Sequence, residues 1–246
     1  MKKSLYTLLF VLVAVSCNDN YRYTVSGTIA GANEGDKIVL FFSPNGFDKD
    51  IIGTTTIADG KFFFDGEIDE PAICYIGYEC GDTSLYAMFF LEAGDIRAEI
   101  TEARICFAGT PNNDKNRECE DTLACYLAIL DSIETQFYTN SLTVDDIARL
   151  SIKGYETQRR LVAYLRKSTI ENIDNLFGLF MLVVYNDFFE SEEFSRLIKE
   201  IPYEFADNNN GFLYNTALGI ASKKRDANSH KKRICPCFLD KSRNLP

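Results

Sequence analysis

The 246-residue chain has no tryptophan, three methionines and a single histidine, His230, close to its C-terminus. With no histidine in the body of the protein, Ser-His-Asp and Cys-His nucleophile arrangements are excluded there. A structural zinc site needs about four ligands, and His230 with Cys235 and Cys237 supplies too few. Basic charge is also scarce in the body. Residues 223–246 carry eight Lys/Arg against Asp226 and Asp240, a net +6, and Lys2 and Lys3 add two at the other end. With an overall charge of −10, residues 18–222 therefore carry −18. A body that acidic repels phosphate backbones, which argues against nucleic acid as a partner. Beyond residue 17 no stretch reaches the roughly 18 continuous apolar residues of a membrane span.

What is present is aromatic and apolar: 19 Phe, 13 Tyr and 46% hydrophobic residues, enough for a sizeable core and against disorder. The N-terminus is the most specific segment. Lys2-Lys3 is followed by an apolar run from Leu5 to Val15, the length of an export-signal h-region. The run ends in Val13-Ala14-Val15-Ser16-Cys17, which resembles a bacterial lipobox with Ala14 where Leu is preferred. The expectation is a lipoprotein acylated at Cys17 and held by that lipid. Seven cysteines then remain, an odd number, so at least one is unpaired in an oxidising compartment. Cys74 and Cys80 fall on one expected strand, about 20 Å apart at 3.3 Å per residue, too far for a disulfide. Cys119 and Cys125 fall on different faces of an expected helix. Most of the cysteines read as small buried apolar residues.

From Tyr21 to about Phe107 the pattern is β. Runs such as IVLFF (Ile38–Phe42), KFFFDGEI (Lys61–Ile68), AICYIGYE (Ala72–Glu79) and SLYAMFFLE (Ser84–Glu92) are separated by turn signals, Ala58-Asp59-Gly60 among them. After Gly109-Thr110-Pro111-Asn112-Asn113 the period changes to that of helices, expected over Lys115–Tyr138, from Thr143 to Lys167, and over Ile170–Phe189, Glu192–Glu200 and Phe212–Lys224. Thr143 with Asp146 makes a capping pattern, and Ser191 is a candidate N-cap. The fold class is α+β: an antiparallel β-sandwich-like domain over residues 18–110, then an α-helical segment over 111–225. A signal peptide over 1–17 precedes it, and a basic tail over 226–246, expected to be disordered, follows.

Six motifs in order carry a family likeness: V-x-G-x-I (Val25, Gly27, Ile29), IVLFF, DGKFFFDG (Asp59–Gly66), FFLEAGDI (Phe89–Ile96), AGTPNN (Ala108–Asn113) and ENIDNLFGLFML (Glu171–Leu182). Over residues 20–225 the chain resembles the N-terminal domain of unknown function, with its linker helices, of lipid-anchored TlpA-like thiol–disulfide oxidoreductases. In that family a thioredoxin domain with a W-C-x-x-C site follows. Here Cys235-Pro236-Cys237 has one intervening residue, and no strand–turn–helix is built around it to stabilise a thiolate. Cys235 and Cys237 are thus the only redox candidates, weighed against an unstructured tail. No catalytic residue, metal or cofactor follows from the pattern. Asp145-Asp146 and Glu192-Glu193 read as helix starts, Phe62-Phe63-Phe64 as core, and Asp121-Thr122-Leu123 and Asp131-Ser132-Ile133 as chance matches to an O-glycosylation signal.

The resemblance implies a cell-envelope protein on the periplasmic side of the inner or outer membrane, or at the cell surface. It would act as a non-catalytic accessory module with a thioredoxin-type protein partner. Two alternatives stand beside it: an oxidoreductase that has lost its thioredoxin domain, and a lipoprotein that binds a small ligand.

Overall fold

Strand alternation in the first half sorts side chains onto two facing layers. The computed structural model describes residues 21–43, 48–80, 83–101, 104–139, 141–206 and 210–234. Cys17 with the whole signal segment, and Cys235 and Cys237 with the end of the tail, lie outside the described residues. Eight strands come first: β1 (Tyr21–Ile29), β2 (Lys37–Phe42), β3 (Asp50–Thr56), β4 (Phe62–Ile68), β5 (Ala72–Cys80), β6 (Thr83–Leu91), β7 (Gly94–Ile100) and β8 (Ile105–Ala108). They form two four-stranded sheets, ordered β4-β1-β7-β8 and β3-β2-β5-β6. Inward residues of both sheets, Val25, Leu40, Ile76, Phe89, Ile96 and Ile100 among them, make one core between the layers. Phe89 stacks on Phe107 with centroids 4.7 Å apart.

Among the described residues every strand ladder is antiparallel except one. β1 and β7 run parallel, Val25 opposite Ile96. No hairpin can join parallel neighbours, and here the whole second sheet intervenes between them in sequence. The transfer from β3 to β4 uses Ala58-Asp59-Gly60-Lys61. Asp59 at φ 50° and Gly60 at φ 71° are both left-handed, as a two-residue primed turn requires. Ala58 and Lys61 exchange both backbone hydrogen bonds across it, at 2.8 and 3.0 Å.

Five helices follow: α1 (Pro111–Thr139), α2 (Val144–Glu171), α3 (Leu176–Val184), α4 (Ser191–Ile198) and α5 (Gly211–Ile234). The α+β class expected from the change of period is the class observed. The Thr143–Asp146 capping box forms in full: the Thr143 hydroxyl accepts from the Asp146 backbone N–H, and the Asp146 carboxylate accepts from the Thr143 N–H. Hydrogen bonds from the Arg149 side chain, and then from Thr143, hold the Asp146 carboxyl down at about 2. A depressed carboxylate favours the folded state above its unfolded pKa, so this N-terminus loosens only as the pH falls towards 2.

Several helix boundaries differ from the sequence expectation, among them the start of α1 at Pro111 and the end of α3 at Val184. α2 runs on to Glu171, and α3 begins at Leu176 rather than Ile170, because Asn175 caps it by accepting from the Gly178 N–H at 3.1 Å. Ser191 is the first residue of α4, and its N-cap position is held by Glu190, which makes no side-chain cap bond. α5 continues to Ile234, so helix replaces the disorder expected over residues 226–234. Ala227, Lys231, Lys232 and Arg233 of that stretch are good helix formers, and a helix already started is extended at little cost.

The helices build a second core around α3, which is apolar on all sides, as a central helix must be. Phe177, Leu179 and Leu182 of α3 pack with Phe194 and Leu197 of α4. The Arg166 guanidinium of α2 donates to both carboxylate oxygens of Glu193 of α4, at 2.8 and 2.9 Å, and also to the Phe188 carbonyl. β6 belongs to both cores: Phe89 and Leu91 point into the sandwich, while Phe90 points into the helices. Among the described residues no helix is long and apolar enough to cross a membrane.

Candidate functional site

The outer face of the β3-β2-β5-β6 sheet is apolar, contrary to the usual polar exterior of a sandwich. In β2, Ile38 and Leu40 face the core, which leaves Val39 and Phe41 on the outside. In β5 the outward positions are Ile73, Tyr75 and Gly77, and in β6 they include Tyr86, Met88 and Phe90. The helices cover one end of this face. Ile73 packs into the helical core, and Phe180 of α3 with Phe212 and Leu213 of α5 frames a smaller hollow of about 130 Å³ beside Tyr75 and Met88. The other end stays open as a groove of about 290 Å³ between Lys37, Val39, Phe41, Lys49, Ile51 and Tyr86.

The groove has a defined geometry. Phe41 and Tyr75 stack at 5.4 Å with planes 17° apart, and Tyr86 meets Phe41 edge-on at 6.0 Å. Gly77 forms the floor: a Cβ there would come within 3.2 Å of the Phe41 ring and 3.4 Å of Tyr86. Lys49 arches over both rings, its Nζ 4.3 Å from the Tyr86 centroid and 5.3 Å from that of Phe41, and donates to the Tyr86 hydroxyl at 2.9 Å. Ile51, on the edge strand β3, is 63% exposed, and Tyr86 is 44% exposed. An aromatic floor, two ammonium groups and an adjacent strand edge can take an extended chain, with ring stacking and charge pairing for its side chains.

The groove was not among the sequence expectations. Its signal was present in IVLFF and SLYAMFFLE, where both faces of the strand are apolar. Phe62-Phe63-Phe64 divides instead: Phe62 and Phe64 are core and Phe63 is 52% exposed.

A second polar arrangement joins the sandwich to α1. Asn113 lies beside β6, an edge strand whose Phe90 has its backbone N–H and C=O turned away from β5. The Asn113 carboxamide accepts from the Phe90 N–H at 3.0 Å and donates to the Phe90 carbonyl at 2.6 Å and to the Thr110 hydroxyl at 2.8 Å. It does for Phe90 what a further strand would do. Buried Glu92 accepts from the Asn112 N–H at 2.8 Å and from the Asn112 side chain at 2.7 Å, which places a carboxylate at the positive end of α1. The Asn112 Oδ1 in turn accepts from the Phe177 N–H at 3.2 Å. FFLEAGDI and AGTPNN, separate in sequence, thus meet as one clamp with a positioning role.

Cys74, Cys106, Cys119 and Cys125 are free thiols. Cys74 and Cys119 are buried, and burial pushes both thiols up, Cys119 to about 11. Burial at both positions disfavours the thiolate that disulfide exchange requires. The expectation of buried apolar cysteines holds for these two, whereas Cys106 is half-buried and Cys125 exposed on α1. Asp145-Asp146 and Glu192-Glu193 occupy the first turns of α2 and α4. Among the described residues no group of three or more His, Cys, Asp or Glu side chains is placed to hold a metal ion.

Residues 23–116 match the family model of a domain of unknown function, DUF4369. The match takes in both sheets and ends just past the clamp on the first turn of α1. No curated protein and no solved structure matches the chain.

Proposed function

We propose that the DUF4369 domain of this chain serves as a non-catalytic interaction module, tethered in the cell envelope through lipid on Cys17. Its groove takes an extended, acidic, aromatic-bearing segment of a protein partner. The observation that carries this reading is the open groove in which Lys49 lies over Phe41 and the exposed ring of Tyr86, in a body of charge −18. Most of that body repels an acidic chain, so Lys37 and Lys49 mark the place where one is accepted. The likeness to TlpA-like proteins makes a thioredoxin-type domain the first partner to test.

The absence of tryptophan supplies a direct readout. A seven-residue acidic peptide bearing one tryptophan, matched in length to β3, is expected to show a saturable blue shift of its emission on binding. Lys49→Glu is expected to weaken binding at least tenfold, about 1.4 kcal/mol, with no change in circular dichroism. No saturable shift, or an unchanged affinity in the variant, contradicts the groove as the site. For the tether, Cys17→Ala is expected to move the protein into the soluble periplasmic fraction, since one acylated cysteine supplies the attachment. Retention on membranes through a high-salt wash would remove the lipid from the account.

A further inference from the structure

The α1–α2 hairpin carries apolar surface that nothing else in the described chain covers. The two helices have 29 and 28 residues. Cys119, Leu161 and Leu165 are buried in the helical core, and Ile133 and Leu150 are buried near the turn of the hairpin. The two helices expose Leu127 by 50%, Tyr138 by 81%, Val144 by 82%, Ile152 by 61% and Tyr155 by 66%. On α2, Val144, Ala148, Ile152 and Tyr155 follow at intervals of four, four and three, and so form one stripe. Two antiparallel helices with apolar residues turned outward are half of a four-helix bundle.

Charge identifies what completes it. From Glu120 onward α1 carries Glu120, Asp121, Asp131 and Glu134 and no Lys or Arg. From Ile147 to Arg160, α2 carries Arg149, Lys153, Arg159 and Arg160 against Glu156 alone. Asp131, Glu134, Lys153, Arg159 and Arg160 enter no ion pair among the described residues. A two-fold interface must be complementary to itself, because each surface meets its own copy. A hairpin with one acidic and one basic helix meets that condition, whereas a partner of one sign would be repelled by one of the two helices. The size also fits. A 28-residue helix is about 42 Å long, so two side by side offer about 800 Å², one side of a standard interface.

We propose that a second copy of this chain docks its α1–α2 hairpin here about a two-fold axis, the acidic α1 of each copy lying on the basic α2 of the other. The four helices close over Leu127, Val144, Ile152 and Tyr155. The groove on the sandwich takes no part, so this proposal and the reading above stand or fall separately.

The test is the mass in solution of the whole chain carrying Cys17→Ala, by sedimentation equilibrium at micromolar concentration. Twice the chain mass is expected. Ile152→Glu with Tyr155→Glu should give monomers with unchanged circular dichroism, since both residues are exposed. Lys153→Glu with Arg160→Glu should raise the dimer dissociation constant at least tenfold. Mixing that variant with Asp131→Lys, Glu134→Lys should restore a dimer of one copy of each, and Lys49→Glu should leave the mass unchanged. A wild-type monomer at 100-fold higher concentration overturns the proposal, as does a dimer indifferent to both sets of substitutions.

Discussion

Gly178→Ala is expected to destabilise the protein by about 3 kcal/mol or more, because the added methyl meets fixed backbone rather than a side chain that could turn aside. A Cβ on Gly178 would overlap the carbonyl oxygen of Asn172 and come within 2.7 Å of the Ile173 nitrogen. Those atoms belong to the turn that ends α2, so the clash can be relieved only by moving α3 away from it. α3 carries Phe177, Leu179 and Leu182 into the middle of the helical core, and its shift would loosen that core as a whole. For a chain of this size the midpoint of thermal unfolding should fall by about 10 °C. Differential scanning calorimetry measures it directly. A midpoint within about 2 °C of wild type would mean that α3 is not held against the α2 terminus as described.

Asn113→Ala is expected to cost about 3 kcal/mol and to lower the midpoint by a similar amount. The substitution leaves the Phe90 N–H and C=O without partners in a site where Phe90 itself is 0% exposed. Each buried backbone group left unpaired costs about 1–3 kcal/mol. The damage should also be local: hydrogen exchange at the Phe90 amide, now free of its acceptor, should accelerate far more than at Ile76 in the sandwich core. Equal acceleration at both would point to general loosening and against a clamp between β6 and α1.

The strands and the switch to helices were legible because period-2 and period-3.6 patterns depend only on near neighbours in sequence. The apolar run Ser84–Glu92 between turn signals placed β6 to within a residue at each end. It could not say that Phe90 faces a second core, since a strand apolar on both sides reads the same whatever covers it. For that reason no pattern sets Phe41, Tyr75 and Tyr86 apart from ordinary strand aromatics, because which end of the face stays open depends on where the helices lie. The clamp joins Glu92 to Asn112 across 20 residues, a pairing that no local pattern encodes, although both ends lie in motifs that stood out. The start of α3 was misplaced because the apolar run continues through Ile170 and Ile173, while the chain turns at Asn172 and is recapped by Asn175. Helix propensity in the basic segment after Asp226 was outweighed in the reading by its charge, yet α5 extends through it to Ile234.

The groove is the centre of the functional account, and methyl spectra of Ile51 and Val39 during titration with the acidic tryptophan peptide test it most directly. These two methyl-bearing residues line the groove, while Ile76 and Ile100 sit in the sandwich core at 0% exposure and serve as internal references. Ile51 and Val39 are expected to shift progressively and to saturate together with the change in emission. Ile76 and Ile100 should stay in place, and Lys49→Glu should abolish the shifts at the same peptide concentrations. Saturable binding with Ile51 and Val39 unmoved would place the peptide elsewhere on the molecule and contradict the account.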